Sequence, residues 1–191
     1  IRHISEKNKD IVSEILITKS NEPFIEMNKN LYQLQVYVPS INEKIPLQKT
    51  LIAYQILEKN LNDFQYEPER ANRFALEMLW MDTKELLKWH YQEIFYELRS
   101  SIEKLTVLDN TQKHWIHGDL GSWNILHTTE RNVCFIDFSE TRKGPKYFDL
   151  VAIFASYLPK NLEEFPSYNQ EFLSAYNDSV NLKEFYETLE L

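Results

Sequence analysis

The chain has 191 residues, with 29 acids against 21 bases for a formal net charge of −8, and 43% hydrophobic and 14% aromatic residues. That length suits one domain, or one with a small appendage, and supplies enough apolar material for a sizeable core. The acidic balance argues against nucleic acid as a partner, which calls for a basic footprint, but not against a nucleotide held with a metal ion.

No apolar run approaches the length of a membrane span, so no membrane partner is expected. The polar start "IRHISEKNKDIV" does not read as a signal peptide. Its first residue is not Met, which fits a processed, cut or incomplete chain. The single cysteine, Cys134, lies in an apolar run and agrees with a reducing compartment, so the cytoplasm is the expected location. Few glycines and abundant Leu, Glu and Lys predict a mostly helical protein.

Residues 1–14 suit a short helix. In 13–40, "EILIT" is a strand candidate, and "PFIEM" and "LYQLQVYV" flank the turn signal "NKN", which predicts a hairpin. Leu31, Gln33, Gln35 and Tyr37 alternate with Tyr32, Leu34, Val36 and Val38 until Pro39 ends the strand. From Pro46 the period changes. Leu47, Leu51, Ile52, Tyr54 and Ile56 mark an amphipathic helix. "PERANRFALEMLWM" and "DTKELLKWHYQEIFYELRSSIEKL" continue the helical pattern, with Asp82 as an expected N-cap and Glu85 at the capping-box position. The aromatics Trp89, Tyr91, Phe95 and Tyr96 are expected as core and helix-contact residues rather than a ligand cage. Beyond them, "NIL" and "VCFIDF" are short β-type runs joined by "HTTERN". Residues 147–158 form an apolar helix, and "NQEFLSAYNDSV" and "LKEFYETLEL" predict two more.

Two of the three glycines fall in "HGDLGSWNIL", around Asp119, with Asn124 five residues on and Asp137 thirteen beyond that. Phosphoryl transfer from a nucleoside triphosphate asks little covalent chemistry of a protein. It needs a carboxylate to orient or deprotonate the acceptor hydroxyl, and oxygen ligands that hold magnesium against the phosphates. An Asp, an Asn and a second Asp on a compact hairpin supply that set. Taken singly, these residues read as a turn acid, a cap and a strand-end acid. The other histidines, His3, His90, His114 and His127, show no metal-ligand pairing.

Read together, "HGDLGSWNIL" and "FIDFSETRKGPKYFDLV" resemble the aminoglycoside phosphotransferase and choline kinase-like superfamily, whose pattern is H-G-D-x-x-x-x-N-x-L, then I-D-F, then G-P-x-x-x-D-L. The resemblance implies an α+β, protein-kinase-like fold. Residues 1–38 would be a partial, β-rich N-lobe, 39–45 the hinge, and 46–191 a mostly helical C-lobe with a short β-hairpin insert. It implies Asp119 as catalytic base, His117 bracing the catalytic loop, and Asn124 and Asp137 as ligands of Mg2+. It further implies Leu126 and Ile136 as the apolar floor under the nucleobase, and Gln35, Val36 and Tyr37 as the strand whose backbone meets the base edge. Asp149 would be a structural acid. The implied function is transfer of the γ-phosphate of ATP or GTP to a hydroxyl of an aminoglycoside-, choline- or amino-alcohol-like molecule. The acid-rich segment "NLEEFPSYNQE" reads as a solvated face, with a cationic acceptor as its alternative use.

Residues 1–38 hold no glycine, and Lys7, Lys9, Lys19 and Lys29 sit in polar or turn contexts rather than inside a strand. The family's phosphate-covering loop and strand lysine therefore have no counterpart here, and Glu6, on the helix that supplies the family's glutamate, lacks its lysine partner. Two expectations compete. One is a fragment of a longer kinase. The other is a naturally short, non-catalytic nucleotide-binding or interaction protein. An open sheet edge in 13–38 adds a homodimer as a further expectation.

Overall fold

The computed structural model describes residues 2–64, 76–111, 114–176 and 179–190. Part of the segment "PERANRFALEMLWM" predicted as helix, residues 68–75, lies outside them. Among the described residues the fold is α+β, with seven α-helices and three two-stranded antiparallel pieces of sheet.

Helix α1 (Arg2–Lys7) opens the chain as expected. The "EILIT" segment runs extended beside residues 34–36: the Leu16 amide donates to the Leu34 carbonyl at 2.9 Å, and the Val36 amide to the Glu14 carbonyl at 2.8 Å. Strands β1 (Ile25–Met27) and β2 (Asn30–Tyr32) form the predicted hairpin. Its two turn residues, Asn28 and Lys29, have φ of 54° and 64°. Positive φ at both central positions matches the twist of the flanking strands. The hairpin buries neither face.

After Pro39 the chain is sewn to the sheet that carries the motif. The Ile41 amide donates to His127 O at 2.8 Å and the Thr129 amide to Pro39 O at 3.1 Å. Helix α2 (Leu47–Asn62) then starts directly after Pro46, whose fixed φ suits a helix entry. It buries Thr50, Leu51, Tyr54, Leu57 and Leu61, one face at helical spacing. Ile52 and Ile56, read from sequence as part of that face, are exposed. They lie one position off the stripe.

Helices α3 (Leu76–His90) and α4 (Gln92–Thr111) form a hairpin that packs mainly on itself. Asp82 does not cap a helix. It sits inside α3, because no Gly or Pro interrupts 76–90 and the backbone ladder runs through it. The break falls at Tyr91 instead. Of the four aromatics expected as core or helix contacts only Phe95 is buried, stacked on Trp80 at 5.5 Å between ring centres, and Tyr96 meets it edge-on at 5.3 Å. Trp89, Tyr91 and Tyr96 are exposed, because α3 buries no residue against the body.

The remaining elements enclose the site. Strand β3 (His114–Ile116) pairs with β6 (Arg142–Gly144), and β4 (Ile125–His127) with β5 (Val133–Phe135). Helices α5 (Phe148–Ser156), α6 (Phe165–Ala175) and α7 (Leu182–Leu189) pack with α2 around an aromatic core. Phe154 is its hub, with Phe172 at 4.9 Å, Tyr168 at 5.0 Å and Phe185 at 5.6 Å between ring centres. Burial pushes the Cys134 thiol on β5 up to about 11, so it behaves as a small inert apolar group.

Truncating a fully buried aromatic removes its transfer energy and leaves a cavity. Phe172→Ala is expected to lower stability in urea denaturation by about 3–5 kcal/mol. Trp89→Ala, at a position 79% exposed, is expected to change it by no more than about 0.5 kcal/mol.

Candidate active site

The loop between β3 and β4 is fixed by one buried carboxylate. Asp149, in the first turn of α5 and 1% exposed, accepts the His117 amide at 2.6 Å on one oxygen and the Gly118 amide at 3.0 Å on the other. Burial raises its pKa above the ordinary carboxylate value. The nearby His117 ring, the two amide donors and the charge of Arg142 work in the opposite direction. Gly118 has φ of 85°, and a Cβ there would run into the Glu140 carbonyl oxygen, so only glycine lets the loop pass.

His117 is fully buried against Phe138, with ring centres 4.5 Å apart. Its Nε2 lies 2.9 Å from Ile136 O, and its Nδ1 3.4 Å from the Asp119 amide. A carbonyl only accepts and an amide only donates. Nε2 therefore carries a proton toward Ile136 O, and both ring nitrogens face backbone groups. His117 braces the loop and has no nitrogen left for a substrate.

Asn124 ends a 3-10 turn, Ser122–Asn124, and is buried. Its Nδ2 donates to the Asp119 carbonyl at 2.7 Å and to Asp119 Oδ2 at 3.0 Å. That leaves the amide oxygen of Asn124 turned away from Asp119. The Ile136 amide donates to Asn124 O at 3.1 Å, which locks the Asn124 turn to the segment leading into Asp137.

Asp137 is exposed, with φ of 59° in the left-handed region. A non-glycine residue there costs about 1 kcal/mol or more. It caps the turn Phe138–Glu140, and Ser139 Oγ donates to its Oδ1 at 2.7 Å. Ser139, which stands where protein kinases have glycine, thus orients the carboxylate and leaves Oδ2 outward. Among the described residues no group of three or more His, Cys, Asp or Glu side chains converges on a metal position. The oxygens of Asn124 and Asp137 are a smaller, all-oxygen set.

A cavity of about 570 Å³ adjoins Asp137. Gln35 lines it, with Ile4, Phe64, Trp115 and Phe138. Val36 and Tyr37 face a separate depression beside Pro39 and Thr128. The Val36 N–H is engaged by Glu14 O, and its carbonyl accepts Ser13 Oγ at 2.6 Å. The structure therefore brings His117, Asp119, Asn124, Ile136 and Asp137 together around one loop and places only Gln35 of the 35–37 strand in the same cavity as Asp137. Leu126 sits on β4 opposite Cys134, half-buried. Sequence reasoning passed over Trp123, whose indole Nε1 lies 3.5 Å from Asp119 Oδ2. Its signal was present, since it lies two residues after Gly121 inside the motif.

The sequence model of the phosphotransferase enzyme family (APH) matches residues 46–186, a span that includes this loop. The chain belongs to that family. No curated protein matches it by sequence. An aminoglycoside phosphotransferase from Alicyclobacillus acidocaldarius is similar at TM-score 0.60 and 16% identity, over 98% of this chain and 65% of that one. The Streptomyces rimosus aminoglycoside phosphotransferase APH(3'')-Id, in complex with ADP and streptomycin, is similar at 0.58 and 16%, over 98% and 78%. The amicoumacin kinase hAmiN, in complex with AMP-PNP, Ca2+ and Ami, is similar at 0.67 and 14%, over 98% and 64%. The shared feature at these identities is the protein-kinase-like fold. The chain spans about two thirds of the length of the first of these structures.

Two substitutions check the loop. Gly118→Ala is expected to destabilise the chain by about 1–3 kcal/mol, because it adds backbone strain to a steric conflict. Asp149→Asn replaces one acceptor by an NH2 group facing an amide donor and is expected to cost about 1–3 kcal/mol. Urea denaturation of each variant measures both.

Proposed function

We propose that the chain acts as a small-molecule kinase, moving the γ-phosphate of ATP or GTP to a hydroxyl of an aminoglycoside-, choline- or amino-alcohol-like acceptor, with Mg2+. The observation that supports it best is the tie between Asp119 and Asn124 at 3.0 Å together with the Ile136–Asn124 backbone bond, which fixes the Asn124 turn beside the residue preceding Asp137.

In this reading Asp119 is the base. Its Oδ2 is taken by Asn124, so Oδ1 faces the acceptor and receives the hydroxyl proton as the new P–O bond forms. Asn124 Oδ1 and Asp137 would hold the metal. They fit it chemically: both are hard oxygen donors, and Mg2+ is commonly held by one or two protein oxygens with water and phosphate oxygens completing the shell. When bound, the ion neutralises the charge of the phosphates. Leu126 and Ile136 would floor the nucleobase, and the strand Gln35–Tyr37 would meet its edge, through Tyr37 or Gln35 rather than the engaged groups of Val36. Residues 1–38, 39–45 and 46–191 would serve as partial N-lobe, hinge and C-lobe.

A second reading, a non-catalytic nucleotide-binding or interaction protein, is favoured by one observation. Residues 1–38 hold neither a glycine nor a lysine inside a strand to clamp the phosphates. The incomplete clamp would cost rate before it cost the loop's geometry, because transfer rests on positioning and electrostatics. Self-association through the fully exposed β1–β2 hairpin belongs to the same reading.

Calorimetry with ATP, with and without Mg2+, tests the metal site. Nucleotide binding by the unaltered chain is expected to require Mg2+ and to weaken at least about tenfold in Asp137→Ala, a loss of roughly 1.4 kcal/mol. Asp119→Asn is expected to keep nucleotide affinity while lowering kcat by about 10²–10⁴ on an acceptor drawn from streptomycin, amicoumacin and choline. Binding without transfer to any of them favours the second reading, and absence of Mg2+-dependent binding overturns both.

A further inference from the structure

The 3-10 turn that carries Asn124 also carries a tryptophan in an unusual position. Trp123 is 68% exposed, yet its indole N–H points at Asp119 Oδ2 at 3.5 Å. The same oxygen accepts Asn124 Nδ2 at 3.0 Å, so two donors from one turn converge on Oδ2. The ring is seated on Gly121, where any Cβ would overlap it. The turn is pinned in its own right: the Ser122 amide donates to Ser156 Oγ at 3.1 Å, and that hydroxyl donates to Ala152 O within α5.

Gly121 thus packs against the six-membered part of the indole, at Cη2, Cζ2 and Cε2, while most of the ring stays open to solvent beside the carboxylate proposed as base. A tryptophan leaves a large apolar surface uncovered here that most positions would hide. We propose that Trp123 is the acceptor-positioning residue of this site. Its N–H fixes the carboxylate of Asp119 so that Oδ1 is the oxygen presented outward, and its open face is the platform on which the acceptor lies while its hydroxyl reaches Oδ1. The ligand chemistry that fits is a polarised C–H face next to the reacting hydroxyl, as on a sugar ring or an alkylammonium group, since such faces stack on indole. Gly121 is the companion requirement, because a side chain there would lift the ring off its seat. This inference rests on the phosphotransferase reading of Asp119 and names the residue that sets which acceptors the site takes.

Two arms test it. In the ligand-free chain, the Trp123 indole signal is assigned in a 15N spectrum by its loss in Trp123→Phe. Asp119→Asn is expected to move that signal and speed its exchange with water. An unmoved signal overturns the proposal whether or not transfer is detected. In kinetics with MgATP and streptomycin, amicoumacin or choline as probe acceptors, Trp123→Phe keeps the platform and loses only the N–H. It is expected to hold KM within about threefold while lowering kcat. Trp123→Ala and Gly121→Ala are expected to raise the acceptor KM at least about tenfold with KM for ATP unchanged. An unchanged acceptor KM in Trp123→Ala, or equal losses for acceptor and ATP that follow a fall in folded fraction, overturns the platform. Absence of transfer by the unaltered chain to every probe, with the indole signal moved as expected, overturns the phosphotransferase reading and the platform with it. The Trp123–Asp119 contact would then stand as a structural feature alone.

Discussion

The buried carboxylate of Asp149 is the constraint on which the site depends. It takes the amides of His117 and Gly118, one on each oxygen, at the point where the chain leaves β3 and turns outward. A charge buried to this degree carries a desolvation penalty of several kcal/mol, which burial expresses as its raised pKa. Two amide bonds and the neighbouring Arg142 offset that penalty only while the loop keeps its present course. Removing the acid would strand two buried N–H groups, so carboxylate and loop hold each other. Every later feature follows in series. Gly118 turns the chain, the His117 ring sets the height of the loop against Ile136, and Asp119 emerges on the open side with Asn124 gripping it from beneath.

This architecture separates stiffness from reactivity. His117, the residue chemists would first suspect of proton transfer, has both nitrogens committed to backbone partners and serves as a strut. Asp119 and Asp137 carry the negative charge proposed for the chemistry, and neither is fully buried. The buried acid holds geometry while the accessible acids face the solvent side. Asp137 adds strain of its own, a left-handed backbone stabilised by the Ser139 hydroxyl. Strain of this kind persists only where surrounding structure over-determines it, which agrees with a position kept for what its carboxylate can hold.

What the sequence disclosed depended on how local the cause was. The β1–β2 hairpin was legible because its turn chemistry lies in the residues that make it, and the start of α2 was legible because Pro46 acts on its immediate neighbours. Family membership was legible because the motif fragments around Asp119, Asn124 and Asp137 lie within 46–186, the stretch that the family model matches. Burial was less legible. Ile52 and Ile56 lie a position off the packed stripe of α2, and Trp89, Tyr91 and Tyr96 are apolar enough for a core that the α3–α4 hairpin does not supply to them. Asp82 carried a capping pattern that an uninterrupted helix overrode. Trp123 escaped notice because its contact with Asp119 exists only once the turn has folded onto Gly121. Alternation pairs Gln35 with Tyr37 on one face, yet Gln35 lines one cavity while Val36 and Tyr37 both face another, a split that the strand period does not predict.

The bonds that fix the transfer loop come from β3, β5, α5 and the Ser122–Asn124 turn, all within residues 114–156. Residues 1–38 touch this set at its margin, through Val12 beside Phe135 and Gln35 in the cavity next to Asp137. The β1–β2 hairpin, with both faces exposed, adds nothing to the loop's stability. The geometry of the loop is therefore separable from any nucleotide affinity proposed for the chain. A weak hold on the phosphates would reflect the composition of residues 1–38 and leave Asp119, Asn124 and Trp123 where they are. A change at Asp149 or Gly118 would disturb those three side chains first. In the proposed reading the two routes differ in kind: the first leaves the Asp119 carboxylate in place, and the second moves the carboxylate proposed as base.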